Sequence, residues 1–147
     1  MVKIKSFTEL TVWKRAHELS LLVYRLTASF PKAELFGIVS QVRRASASVA
    51  ANIAQGFGRR TTRELLRSLQ IAAGEAEEVR YFLILSRDLG YLSASDFGPA
   101  DQMCDSVLQL ISALGRSLKQ RRANYVVHES RVTSYESPNH KGAFNGG

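Results

Sequence analysis

From Val12 to Leu118 the apolar residues of this chain recur three and four positions apart, and almost nowhere at the alternate spacing of a half-buried strand. That period restricts the chain to helices that each bury one stripe. Val12, Ala16, Leu19, Val23, Leu26 and Phe30 form a first seam, widened by Trp13 and Leu22. Ile38, Val42, Ala45, Val49, Ile53 and Phe57 form a second, and Leu65, Leu69, Ala72, Ala76, Val79 and Leu83 a third. The cleanest is the fourth: Phe97, Ala100, Cys104, Val107, Ile111, Leu114 and Leu118.

The punctuation between seams agrees with them. Pro31 biases Phe30 away from the helical region and closes the first helix. The second runs from about Leu35 to Phe57, with Gly56 and Gly58 available to stop it. Thr61 and Glu64 have the spacing of a capping box for the third, which closes at Gly90. Ser93 or Ser95 caps the fourth, whose acids come early and whose cations come late, as the macrodipole prefers. Four helices of about 22–30 residues joined by short turns predict an all-α fold, an antiparallel up-down-up-down four-helix bundle over residues 1–125. Residues 126–147 show no apolar face and predict a disordered, flexible tail.

With 147 residues the chain suffices for one domain and its core. Its single cysteine excludes an internal disulfide, and no stretch approaches the roughly 20 apolar residues of a membrane span. A soluble, cytoplasmic protein with no membrane partner is the expectation. The formal net charge of +7 points to acidic partners.

Helix two is unusual in "QVRRASASVAANIAQGFGRR". Its apolar face enters the bundle, and Ala47, Ala50, Ala51 and Ala54 form a face that another backbone can approach closely. Gln41, Arg44, Ser48, Asn52, Gln55 and Arg59 make a third, polar stripe without the Glu/Lys mixture of an ordinary solvated face. Long amides suit hydrogen bonding to another polar surface. Two readings stay open: a network fixing register between helices or protomers, with Gln41, Ser48, Asn52 and Gln55 at an oligomer interface, or direct contact with a ligand.

Over about residues 6–120 the chain resembles a bacterial four-helix-bundle protein family first noticed as reading frames inside intervening sequences of large-subunit ribosomal RNA genes. The resemblance rests on Leu10, Trp13, Ala16, Tyr24, Pro31, Glu34, Gly37, Gln41, Arg43, Arg44, Ser48, Asn52, Ile53, Ala54, Gly56, Arg59, Leu69 and Gly74. It implies a homopentamer, a ring of bundles around a basic channel, with no enzymatic activity assigned. A related group serves as the accessory protein of diversity-generating retroelements, binding a reverse transcriptase and nucleic acid. Two positions depart from the pattern: Ala50 stands where the family has Pro, implying a straighter helix two, and Gln55 where it has Glu, leaving the stripe more positive.

Arg43, Arg44, Arg59, Arg60, Arg63 and Arg67 crowd one stretch against Glu64 alone, and are the candidate contacts to nucleic acid or a protein partner. Arg63 and Arg67 lie in the first turns of a helix, where cations are disfavoured by a few tenths of a kcal/mol, so a partner would repay their placement. Arginine suits bidentate phosphate or carboxylate recognition. With no RNA-binding module signature, such binding would be backbone-directed and salt-sensitive. The expected function is thus a non-enzymatic oligomer binding RNA or DNA backbone, with a scaffold for an acidic protein such as a reverse transcriptase as the alternative.

Chemistry finds little support. "GFGRRTT" joins two helices and lacks the strand and lysine of a phosphate loop. His17, His128 and His140 are isolated, Cys104 lies on an apolar seam, and a Mg²⁺-dependent hydrolase would need Glu75 and Glu78 to face Asp101 and Asp105 across the bundle. No catalytic residue, metal or cofactor is expected.

Overall fold

The computed structural model describes the backbone of residues 4–135 and the side chains of residues 4–124. Helices account for almost all of it: α1 (Thr11–Thr27), α2 (Ser40–Gly58), α3 (Thr62–Asp88) and α4 (Ala94–Tyr135). A 3-10 turn, Phe7–Glu9, precedes α1 and is closed by a reciprocal cap between Ser6 and Glu9.

Each helix runs back along the one before it. Arg43 of α2 reaches Tyr24 and Thr27 late in α1, Arg44 reaches Glu75 and Glu78 of α3, and Arg80 of α3 reaches Asp101 of α4. Helix α4 also packs on α1, which closes the bundle. Its interior holds the expected seams: Leu19, Val23, Val42, Val49, Ile53, Val79, Leu83, Cys104 and Val107 are all fully buried. Cutting one of the large ones back to alanine would cost about 2–5 kcal/mol.

The four lengths are less even than the sequence predicts. α1 stops at Thr27, whose hydroxyl donates to the Val23 carbonyl at 2.7 Å. A 3-10 turn, Lys32–Glu34, leads out of the α1–α2 connection, and the first turn expected of helix two is a π turn, Leu35–Val39, bent at Gly37. Glu34 pins that bend, accepting from the Ile38 amide at 3.4 Å and the Tyr91 hydroxyl at 3.2 Å. α2 then passes unbroken through buried Ala50.

Neither Gly56 nor Gly58 stops α2. Both lie within it, and the left-handed residue that turns the chain is Arg60, at φ 63°. That conformation costs a non-glycine residue about 1–2 kcal/mol. Gly56 serves a different end, because a Cβ there would lie 2.7 Å from Ser68 Oγ on α3. Thr61 caps α3 as expected, accepting from the Glu64 amide, and Gly90 closes it at φ 80°. Of the two candidate caps for α4, Ser93 accepts from the Asp96 amide.

α4 continues past residue 125. Its backbone stays helical to Tyr135, because "RRANYVVHESRV" carries no glycine or proline to end it. Residues 136–147 of the expected tail lie outside the described residues.

Candidate functional site

Antiparallel packing places the C-terminus of α2, the N-termini of α1 and α3, and the later half of α4 at one end of the bundle. Lys5, Phe7 and Arg60 border one cleft there, and Leu66 and Gln70 of α3 share another with Arg116 and Lys119 of α4. Arg59, Arg60, Arg63 and Arg67 are all exposed at this end. Lys5, Lys14 and Arg15 join them from the N-terminal segment, and Arg116, Lys119, Arg121 and Arg122 from α4, every one exposed.

Acids are scarce beside them. Glu64 accepts a hydrogen bond from Thr61 Oγ1 at 2.9 Å, and Glu18 pairs with Arg15 at 2.9 Å. Glu9 is spent on the amides of Lys5 and Ser6. Most other acids of the four helices and their turns, from Glu34 and Glu75 through Asp105, sit at the middle or the opposite end. The molecule is electrically polar along its axis, and low-dielectric walls between like charges focus such a field.

Two of the expected contacts belong elsewhere. The Arg43 guanidinium stacks 4.5 Å from the Tyr24 ring centroid, while its Nε donates to Thr27 Oγ1 at 2.9 Å. It thereby holds α2 to the C-terminus of α1, where a cation is favoured. Arg44 donates to Glu78 at 2.6 Å and Glu75 at 3.4 Å. These carboxylates raise its pKa, with the Glu78 hydrogen bond the largest cause. Burial, more than the neighbouring Glu78, lifts Glu75 above the ordinary carboxylate range against the pull of Arg44. Arg43 and Arg44 therefore bind this chain itself, and lie apart from the four arginines around the α2–α3 turn.

The polar stripe of α2 divides in the same way. Asn52 Nδ2 donates to the Ser48 carbonyl one turn back at 2.8 Å, an internal bond of the helix. Gln41 and Gln55 are exposed. Asn52, Gln55, Arg59, Glu64 and Arg67 line a polar groove of about 350 Å³ between α2 and α3. With Gln at position 55, Glu64 is the sole acid of that lining.

The carboxylates weighed for metal chemistry are claimed by arginines. Glu75 and Glu78 hold Arg44, while Asp101 holds Arg80 at 2.8 Å with Asp105 at 3.8 Å. Among the described residues no group of three His, Cys, Asp or Glu side chains could hold a metal ion. Cys104 is fully buried, and that burial pushes its thiol pKa up to about 12. Since the thiolate is the reactive form, a thiol reagent should label the folded protein very slowly, and at the ordinary rate once urea exposes the side chain. Rapid stoichiometric labelling in buffer would contradict this burial.

What residue-by-residue reading missed is the contribution of α4. Arg116, Lys119, Arg121 and Arg122 look like ordinary C-terminal complements to the macrodipole. The signal that they belong with Arg59–Arg67 is the antiparallel register itself.

The sequence model of the 23S rRNA-intervening sequence protein family matches residues 8–113. No curated protein matches the chain. Among solved structures, a protein of unknown function from the S23 ribosomal protein family of Bacteroides thetaiotaomicron VPI-5482 superposes with a TM-score of 0.65 at 20% identity, covering 71% of this chain and 95% of that one. At that identity the likeness concerns the fold. No helix among the described residues is long and apolar enough to cross a membrane.

Proposed function

From the chain's membership of the 23S rRNA-intervening sequence protein family, we propose a non-enzymatic, self-associating bundle, homopentameric as its resemblance implies, that grips the phosphate backbone of RNA or DNA with its basic end. The observation that carries this reading is the segregation of charge. Arg59, Arg60, Arg63 and Arg67 stand exposed with Arg116 and Lys119, while the arginines of the middle, Arg44 and Arg80, are occupied by carboxylates. A planar guanidinium matches a phosphate in two hydrogen bonds, and five copies would multiply a weak contact into a stable one.

The reading predicts binding that is tolerant of sequence and steeply dependent on salt. Engaging about four phosphates per protomer gives a log–log slope near −3.6 on duplex, and roughly a hundredfold loss of affinity between 50 and 200 mM salt. Titration of the full chain against a labelled duplex and a labelled single strand over that range tests it. No binding at low salt would overturn it. An acidic protein partner would use the same arginines, and its association would survive nuclease treatment of a pull-down.

A further inference from the structure

Two aromatic side chains at the basic end have no part in gripping a phosphate backbone. Phe7, in the 3-10 turn before α1, and Phe57, in the last turn of α2, are both only partly buried. They line one cleft of about 750 Å³ with Ile4, Lys5, Ser6 and Arg60. Its described walls hold no acid, and both of its cations, Lys5 and Arg60, are exposed. Glu9, the carboxylate nearest in sequence to Phe7, accepts from the amides of Lys5 and Ser6. That cap fixes the turn carrying Phe7, and Trp13 braces the ring edge-on, with centroids 5.1 Å apart.

Arg60 reaches the cleft through its left-handed backbone, at φ 63°. A glycine would make that turn without steric cost, yet an arginine occupies it. Backbone strain of this kind gathers where a side chain serves a ligand. Arg60 and Phe57 also border a second cleft, of about 170 Å³, beside Thr61 and Thr62, so the pair forms the wall between the two.

A duplex offers this end its phosphates but keeps its base faces stacked inside, and cations alone suffice for it. An apolar side chain of a protein would leave Lys5 and Arg60 unmatched. Aromatic walls between cations suit a ligand that joins a flat π face to a phosphate, which is an unpaired nucleotide.

We propose that the Phe7–Phe57 cleft takes one unpaired base of a single strand, with the adjoining phosphates on Lys5 and Arg60. This rests on the phosphate-binding reading above and names the class of strand. Every base has a π face, so stacking preserves the tolerance of sequence expected there. Arg59, Arg63 and Arg67, at the same end, remain for the phosphates that follow.

Trp13 is the only tryptophan of the chain and packs on Phe7, so its emission reports on the cleft. The full chain is titrated at low salt with a short oligothymidine strand, with its duplex, and with an abasic strand carrying the same phosphates. The oligothymidine should bind about tenfold tighter than the abasic strand, the worth of one stacked base, and it alone should change the Trp13 emission. Oligouridine run alongside distinguishes RNA from DNA, the tighter of the two being the ligand. Phe57→Leu keeps an apolar side chain without the ring. It should abolish the tenfold gain and leave abasic affinity within about twofold, at unchanged circular dichroism. Should it lose helicity, Phe7→Leu, outside the four helices, serves with the same expectation. Arg60→Gly keeps the left-handed turn and should flatten the log–log salt slope by about one. Failure of every strand to bind would overturn this site and the backbone reading together. Equal affinity for abasic and thymidine strands, an unmoved Trp13 emission, a leucine variant that weakens both strands alike, or an unchanged slope in Arg60→Gly would overturn the site alone.

Discussion

Leucine at position 56 is expected to lower the stability of the bundle by about 3 kcal/mol. A chain of this size has about 5–15 kcal/mol in all, so the loss is a large part of the total. Gly56 is buried where α2 lies against α3. A Cβ there would meet Ser68 Oγ at 2.7 Å and Leu65 Cδ1 at 3.3 Å, and the Ser68 contact is to the stem of a short side chain with nowhere to go. Longer side chains would force the two helices apart along the neighbouring seam of Ile53 and Leu69. The better helix propensity of leucine returns at most about 1 kcal/mol. Urea unfolding followed by circular dichroism should show the midpoint falling by about 1.5 M for a slope near 2 kcal/mol/M. Gly56→Ala should cost less, and pairing it with Ser68→Gly should recover most of that loss. An unchanged midpoint in Gly56→Leu would mean that the helices do not approach at this point.

The second large effect concerns binding. Reversing Arg59, Arg63 and Arg67 together to glutamate should reduce affinity for duplex at 50 mM salt by at least a hundredfold. It should also flatten the log–log salt slope by about three, one for each phosphate contact removed. All three side chains are exposed, so the fold should survive. The informative control is Arg44→Gln, which lies on the same stretch of sequence. Its guanidinium is already held by Glu75 and Glu78, so the change should move affinity by no more than about threefold. Equal losses from the two variants would show that general charge, and not the basic end, draws the nucleic acid.

That control marks a difference between chain and fold. In sequence, Arg43 and Arg44 are inseparable from the four arginines that follow. In the fold, Arg43 is locked on Tyr24 and Arg44 is shared by two carboxylates more than thirty residues away. No local signal announces those partners. Phe36 is similar: nothing in "ELFGIV" says that the aromatic side chain points away from the core, because the π turn and the bend at Gly37 decide it.

The sequence by itself determined the four helices, their buried seams, the cap at Thr61, the choice of Ser93 or Ser95 for α4, and the turn at Gly90. Those features depend on the 3.6-residue period and on neighbours within a few positions, which a linear chain displays directly. It also carried the family resemblance that the match over residues 8–113 bears out. Only the tertiary structure decided which charges act together. Antiparallel packing sets the early residues of one helix beside the late residues of the next, gathering Lys5, Arg59 to Arg67 and Arg116 to Arg122 at one end. Glu75, Asp101 and their neighbours fall away from that end. Electrostatic fields sum over distances in space, and the folded register alone turns a scattered excess of cations into a pole.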